Sequence, residues 1–251
     1  MVEKTLSRAE AAAIADLKER KHRRTTGLFW VEGEKLTREA LLQTRMGVKT
    51  VVTTREYAEK NPHFPFEPKN TAFVSPSVFE RLSHLERSEP VGAVMHIPPP
   101  PKNLPDGPGM VLWGVQDPGN LGAVLRVADW FGMRCVAVAG GAVDVFNIKT
   151  LRAAMGSAFR IPVHDVGDGN EFLKIHARSC VAADASGKFS AQDPKIWKNA
   201  RFVVLGSESK GLPQHVKCAV NTVFIPGEGG AESLNLAVAA GVLAYAWKTA
   251  R

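Results

Sequence analysis

Three segments in the second half of the sequence place glycine and polar side chains directly after short apolar runs. They are residues 116–132, 205–213 and 224–236. Glycine lets a ligand approach the backbone closely, and ligands of open parallel sheets bind beyond the carboxyl ends of the strands. These three loops are therefore the first candidates for binding and catalysis.

Two well-known nucleotide-binding loops can be compared with them. Residues 206–211 have the glycine spacing of a Walker A loop, but Leu212 and Pro213 stand where Lys and Ser or Thr would hold phosphate and magnesium. Residues 227–232 begin a G-x-G-x-x-G pattern, but Glu232 takes the place of the third glycine. Both departures argue against a P-loop and against the alternative of a nicotinamide-dependent dehydrogenase.

Each polar side chain in the loops also has a purely structural interpretation. Asn120 could cap the helix that follows it, and Ser233 could cap the last helix of the chain. Arg126 and Asp129 are three residues apart and could form a surface ion pair. Glu208 could accept hydrogen bonds from the amides of its own turn. Taken one at a time, these structural interpretations are favoured.

Taken together, the three segments resemble the three motifs of the SpoU/TrmH family of RNA ribose 2′-O-methyltransferases, within the SPOUT superfamily. The similar residues are Asn120-x-Gly122-x-x-x-Arg126 for motif one, Gly206-x-Glu208-x-x-Gly211 for motif two, and Ile225-Pro226 with Ser233-Leu234-Asn235 for motif three. The match covers about residues 111–247. Residues 27–95 more loosely resemble the L30e-like substrate-binding module of the same family.

The resemblance implies an α/β fold, in which a C-terminal parallel sheet with helices on both faces is threaded into a trefoil knot and joined to a smaller N-terminal α/β domain. It also implies S-adenosylmethionine as the methyl donor, S-adenosylhomocysteine as its product, and a homodimer formed through the C-terminal domain. By motif position, the cofactor contacts are Ala183, Leu205, Gly206, Ile225, Ser233 and Leu234.

The implied reaction is attack of a ribose 2′-hydroxyl on a sulfonium methyl group. The leaving thioether is neutral, so no metal is required, and the enzyme has to position the reactants and remove a proton. The catalytic arginine of the family corresponds to Arg126. Because the pKa of a guanidinium exceeds about 12, we expect Arg126 to orient the RNA and stabilise alkoxide charge. The other residues assigned to the catalytic site, which are expected to hold this arrangement as hydrogen-bonding partners, are Asn120, Glu208, Ser233 and Asn235.

The RNA substrate is favoured to be ribosomal, with transfer RNA possible. The alternative is a catalytically inactive, RNA-binding or ribosome-associated protein of the same fold, against which the intact motifs argue. A basic run at residues 18–24 could contact RNA phosphates or could simply complement a helix dipole. The residues expected to bind RNA are Lys18, Arg20, Lys21, Arg23, Arg24 and Arg126.

Helices and strands must alternate along the chain to position these residues. The capping box formed by Ser7 and Glu10 predicts a helix to about Arg24, and Ser75 before Pro76 predicts another helix start. Further elements are predicted at residues 34–46, 48–53, 91–96, 110–115, 121–131, 135–139, 148–159, 181–183, 202–205, 222–225 and 233–248.

A proline-rich stretch divides the predicted elements into two groups, since such stretches act as semi-rigid spacers. We therefore predict an N-terminal substrate-binding domain at residues 1–97, a linker at 98–109 and a methyltransferase domain at 110–251.

Composition limits the possible classes of protein. With 251 residues and 45% hydrophobic content, intrinsic disorder is disfavoured. The longest apolar run, residues 236–247, is shorter than the about 18 residues of a membrane span. Three scattered cysteines indicate reduced thiols and neither a disulfide framework nor a zinc site. We expect a soluble, cytoplasmic protein without a metal, whose net charge of +7 suits a polyanionic partner.

Overall fold

The structure, a computed structural model, describes residues 4–43, 45–67, 69–86, 89–141 and 143–250. Two units can be distinguished by their internal contacts. The first comprises residues 1–99 and 146–160, and the second comprises residues 100–145 and 161–251. The change of unit after residue 99 falls within the proline-rich segment.

The first unit is built on a five-stranded sheet in the order β1-β4-β3-β5-β2. Strand β5 runs antiparallel to both of its neighbours, and the other pairs are parallel. The elements of this stretch are β1 (Lys4–Thr5), α1 (Arg8–Ala15), a 3₁₀ turn (Asp16–Lys18), α2 (Arg20–Thr26), β2 (Leu28–Glu32), α3 (Glu34–Leu42), β3 (Val48–Thr53), α4 (Arg55–Lys60), β4 (Thr71–Phe73), α5 (Pro76–Leu82) and β5 (Val91–His96).

Alternate side chains of this sheet are buried on opposite faces, as the two-residue period of a strand requires. On one face, α1 and α5 cover a cluster formed by Ile14, Leu17, Leu28, Trp30, Val52, Phe79, Leu82 and Val94. The strands Val48–Thr53 and Val91–His96 and the Ser75-capped helix are confirmed. Strand β2 is absent from the predicted elements, although a run of large apolar residues such as 28–31 is typical of a buried strand.

The N-terminal helix differs from its prediction. The capping box at Ser7 and Glu10 is confirmed, but the helix ends at Ala15, and Glu19 has extended backbone angles before α2 begins. Arg23 of α2 turns inward, is 3% exposed, and donates from its guanidinium to the carbonyl oxygens of Leu17 and Lys18. The prediction that Arg23 contacts RNA phosphates is therefore wrong, because its charge is used inside the unit.

The second unit contains a seven-stranded sheet in the order β10-β12-β9-β11-β6-β7-β8, with every neighbouring pair parallel. The elements from residue 109 onwards are β6 (Gly109–Trp113), α6 (Pro118–Trp130), β7 (Cys135–Ala139), α7 (Ile148–Ala154), α8 (Ser157–Arg160), β8 (Val163–Asp165), α9 (Asn170–His176), a 3₁₀ turn (Ala177–Ser179), β9 (Cys180–Ala183), β10 (Phe189–Ser190), α10 (Pro194–Trp197), β11 (Phe202–Gly206), α11 (Gln214–Ala219), β12 (Asn221–Phe224) and α12 (Leu236–Thr249).

Helices cover both faces of this sheet. On one face, Phe172 and Leu173 of α9 and Val216 of α11 pack on β6, β7, β9 and β11. On the other face, α12 packs against α6 and β11, and α6 packs against β7. The predicted α/β class, with a parallel C-terminal sheet between helical layers and a smaller N-terminal α/β domain, is confirmed. The trefoil knot stays a prediction.

Residues 146–160, which the sequence places with the C-terminal domain, pack with the first unit. Phe29 of β2 contacts Phe146 and Phe159, with ring centroids 4.6 Å and 6.5 Å apart. Arg160 forms an ion pair with Glu39 of α3 at 2.8 Å. Through the aromatic contacts and this ion pair, the α7–α8 segment belongs to the first unit.

The inward-facing Arg23 leads to a stability prediction. Arg23→Met keeps the aliphatic stem but removes the charged donor from one buried and one partly buried carbonyl group. We expect the Tm to fall by about 5 °C, since a hydrogen bond from a charged group contributes about 1.5–3 kcal/mol. Arg24→Met, at an exposed position of the same helix, is the matched control and should leave the Tm unchanged in calorimetry. Equal Tm values for the two variants would contradict this account of Arg23.

Candidate functional site

The three glycine-containing loops leave the same edge of the seven-stranded sheet. They follow β6, β11 and β12, and the loop after β9 leaves the same edge because all four strands are parallel. Strands β6 and β11 are direct neighbours and end together, with Trp113 opposite Gly206. Loops at residues 114–117, 184–188, 207–213 and 225–235 are thus gathered at the carboxyl edge, where parallel sheets bind ligands.

The first loop leads into α6. Asn120 does not cap this helix, in contrast to its purely structural interpretation. Asp117 is the N-cap, since its side chain accepts from the backbone amide of Asn120 at 2.8 Å, and Pro118 occupies the first helical position. The side chain of Asn120 is therefore free to bond elsewhere. Asp117 is not among the predicted site residues, although an Asp directly before Pro is a typical signal of a helix start.

The second loop folds back on its own beginning. A Cβ atom on Gly206 would lie 2.3 Å from the carbonyl carbon of Gly211 and 2.5 Å from the backbone nitrogen of Leu212, so only glycine fits. Gly211 has a positive φ of 61° and donates from its amide to the carbonyl oxygen of Ser207 at 2.8 Å. This tight turn presents Glu208 at the exposed edge.

The third loop ends in the N-cap of α12. Asn235 Oδ1 accepts from the backbone amides of Ala237 at 2.9 Å and Val238 at 3.4 Å. Asn235, and not Ser233, therefore caps the last helix, which begins at Leu236. With its oxygen engaged in the cap, the amide nitrogen of Asn235 points away from the helix and can donate.

The side-chain amide of Asn120 joins the three loops. Its Nδ2 donates to Glu208 Oε1, and its Oδ1 accepts from Asn235 Nδ2 at 3.2 Å. An amide has a donor and an acceptor on one rigid group, so it can bridge a carboxylate and a second amide. Residues 120, 208 and 235 come from three separate motifs and form one hydrogen-bonded chain.

Arg126 and Ser233 lie outside this hydrogen-bonded chain. Both are exposed, and within the described part of the chain neither side chain has a hydrogen bond or an ion pair. Arg126 is on α6, whose buried side consists of Leu121, Gly122, Val124, Leu125 and Ala128. Its guanidinium is thus available to a ligand.

The residues expected to contact the cofactor are mostly apolar and lie at strand ends. Leu205 is buried, Ala183, Gly206 and Ile225 are half-buried, and Leu234 is 48% exposed beside the exposed Ser233. Apolar side chains suit an adenine ring and a thioether chain. Gly206 packs closely on the backbone of residues 211–212 and has no side chain. These residues fit S-adenosylmethionine.

The basic run lies in the first unit. Lys18, Arg20, Lys21 and Arg24 are exposed, in contrast to Arg23. Four cations therefore remain available to a polyanion.

Other chemical features of the described residues are few. The three cysteines form no disulfide. Burial raises the pKa of Cys135 to about 11 and that of Cys180 to about 12. In the described ranges, no group of three His, Cys, Asp or Glu side chains could hold a metal ion. Nor does any described helix combine the length and apolar character needed to cross a membrane.

Comparison with known protein families gives two matches that divide the chain. The model of the SpoU rRNA methylase family matches residues 109–245, which include all three loops. The model of the MRM3-like substrate binding domain matches residues 11–93.

Individual relatives extend the similarity over the whole chain. The 23S rRNA (guanosine(2553)-2′-O)-methyltransferase RlmP of Bacillus subtilis is 31% identical over 96% of this chain and 98% of its own length. A solved structure from Porphyromonas gingivalis, described as an RNA methyltransferase of the TrmH family, is 30% identical with a TM-score of 0.83 and covers 97% of this chain and 98% of its own. The structure of the AdoMet-bound rRNA methyltransferase from Sinorhizobium meliloti is 26% identical with a TM-score of 0.83. The match covers 98% of this chain and 96% of that protein's chain.

The turn at Gly206 leads to a second prediction. In Gly206→Ala the new methyl group would collide with the backbone at residues 211–212 and displace the turn that carries Glu208. We expect a loss of about 1–3 kcal/mol in the free energy of unfolding, the range for overpacked sites, measured by urea denaturation. The matched control is Gly229→Ala, because a Cβ atom there would have no neighbour within 4 Å. If Gly206→Ala is as stable as Gly229→Ala, the close approach at Gly206 is not required.

Proposed function

The chain belongs to the SpoU rRNA methylase family, and we propose that it transfers a methyl group from S-adenosylmethionine to a ribose 2′-hydroxyl of ribosomal RNA. The observation that carries the proposal is the hydrogen-bonded chain of Asn120, Glu208 and Asn235, which unites the three motifs at the carboxyl edge of the sheet. Sequence similarity to named 2′-O-methyltransferases gives the reaction and the kind of RNA.

The methyl donor binds at the strand ends and turns near residues 183, 205–206, 225 and 233–234. When bound, S-adenosylmethionine supplies a methyl group on a positively charged sulfur, which is already activated for transfer. Leu205, Ile225 and Leu234 offer apolar contact to the adenosine, and backbone groups near Gly206 offer hydrogen bonds. Structural similarity to an AdoMet-bound relative supports this choice of donor.

Arg126 acts on the RNA. Its exposed guanidinium can hold the target ribose or its phosphate through paired N–H donors and can stabilise negative charge on the 2′-oxygen. Asn120 and Glu208 hold the start of α6, and Arg126 lies less than two helical turns further along the same helix.

The first unit binds the RNA substrate. Its similarity to a substrate binding domain and its four exposed cations, Lys18, Arg20, Lys21 and Arg24, support this role. Each phosphate neutralised by such a cation releases counterions, so the affinity for RNA falls steeply with salt.

The second unit forms a homodimer. Large apolar side chains are exposed on α6 and α12, two helices that pack against each other. Trp130 is 84% exposed and Tyr245 is 62% exposed, with Val238 and Val242 on the same helix as Tyr245. A groove of about 570 Å³ beside α12 is lined by further apolar groups, among them Trp197. An exposed apolar surface of this kind is typical of a subunit interface.

Replacement of Arg126 tests the proposed function. We expect Arg126→Ala to lower methyl transfer from labelled S-adenosylmethionine to RNA by about 100-fold or more, the effect of losing a charged group that stabilises the transition state. The Kd for S-adenosylmethionine should change by less than about twofold, since Arg126 contacts the RNA and not the donor. Arg178→Ala removes an exposed arginine directly before β9, at the opposite edge of the sheet, and should remain fully active.

Two outcomes would count against the assignment. If Arg126→Ala retains most of its activity, the role of Arg126 is refuted. If the wild-type protein binds RNA but transfers no methyl group to any ribosomal RNA, the chain is a binding protein and the proposed reaction is refuted.

A further inference from the structure

A half-buried carboxylate lies in the loop after β9, directly after the expected cofactor contact Ala183. Asp184 Oδ1 accepts from the backbone amide of Ser186 at 2.8 Å and from its hydroxyl at 2.6 Å. The amide of Gly187 donates to the carbonyl oxygen of Asp184 at 2.9 Å. Residues 184–187 therefore form a tight turn organised around one carboxylate.

This turn lies on the end of β12. The Asp184 amide donates to the carbonyl oxygen of Val223 at 2.9 Å, and the Lys188 amide donates to Thr222 Oγ1 at 3.2 Å. A Cβ atom on Gly187 would lie 2.4 Å from the carbonyl carbon of Val223. The turn is thus in direct contact with the strand that ends just before Ile225, a second expected cofactor contact.

Lys217 reaches the other oxygen of the same carboxylate. It extends from α11, which follows the motif-two turn at Gly206–Gly211, and its Nζ forms an ion pair with Asp184 Oδ2. The side chains of Asp184 and Lys217 are only 9% and 30% exposed. Burial would raise the pKa of Asp184, but the hydrogen bonds from Lys217 and Ser186 outweigh burial and hold the pKa below its ordinary value.

This well-shielded pair joins the end of β9 to the helix that follows motif two. The turn that it holds also contacts the end of β12. Removing both charges from water costs free energy, and the attraction between them does not reliably offset this cost. Such a pair is therefore weak evidence that the folded state is stabilised. A fixed geometry is a better explanation for its presence.

We propose that Lys217 is a positioning residue for the methyl donor: through its ion pair with Asp184 it fixes the turn at residues 184–187, and with it the backbone at Ala183 and Ile225, in the conformation that binds S-adenosylmethionine. This inference rests on the proposed function. Lys217 itself does not touch the donor, and it acts only through the turn.

Titration calorimetry with S-adenosylmethionine tests the inference on the full chain. We expect Lys217→Met and Asp184→Asn each to raise the Kd about tenfold, as the loss of one charge-assisted hydrogen bond predicts. The double variant should bind no more weakly than the weaker single variant, since both changes break the same interaction. Lys217→Arg should restore the affinity for the donor. In Lys217→Met and Asp184→Asn, kcat at saturating donor should fall by less than about threefold.

Lys174→Met is the matched control, because Lys174 also pairs with a carboxylate of this unit, Glu171, but both side chains are more than two-thirds exposed. It should leave the Kd unchanged. If Lys217→Met unfolds, the double variant carries the test, since it leaves no unpaired charge. Folded variants that bind like the wild type, or lose kcat without a change in Kd, would overturn the inference. A wild-type protein that fails to bind S-adenosylmethionine would overturn the proposed function instead.

Discussion

The site depends on one side-chain amide that donates and accepts at the same time. Asn120 donates to the carboxylate of Glu208 and accepts from the amide of Asn235, so each partner fixes one end of a planar group. A carboxylate at position 120 would offer only acceptors and would repel Glu208. The chain of three residues therefore explains why motif one must carry a matching side chain although it lies more than 80 residues before the other two motifs.

The parallel sheet makes this junction possible. Because all seven strands run in one direction, the loops after β6, β11 and β12 leave the same edge whatever their order along the chain. Helices α6 and α12 both begin at that edge, one capped by Asp117 and the other by Asn235, and they pack against each other as they leave it. The cap of α12 also orients the amide that reaches Asn120, so the helix start and the site share one residue.

Local signals in the sequence predict much of this arrangement. The apolar runs of β3, β5 and β7 and the caps at Ser7 and Ser75 are determined by neighbouring residues, and they can be predicted from the pattern alone. Contacts between residues that are distant in the sequence cannot be predicted in this way. Nothing near Arg23 distinguishes it from the exposed Arg24, and its burial depends on carbonyl groups at the end of a 3₁₀ turn. The packing of Phe146 and Phe159 on Phe29 and the pairing of Lys217 with Asp184 likewise depend on tertiary structure.

We propose that the junction at Asn120 forms a site for ribose methylation of ribosomal RNA. The most direct measurement is a map of ribose 2′-O-methylation across the ribosomal RNA of cells that lack the gene and are complemented with either the wild type or Asn120→Asp. We expect a ribose methylation to be lost on deletion, to return with the wild-type gene, and not to return with Asn120→Asp. An unchanged methylation map in the deletion strain would contradict it.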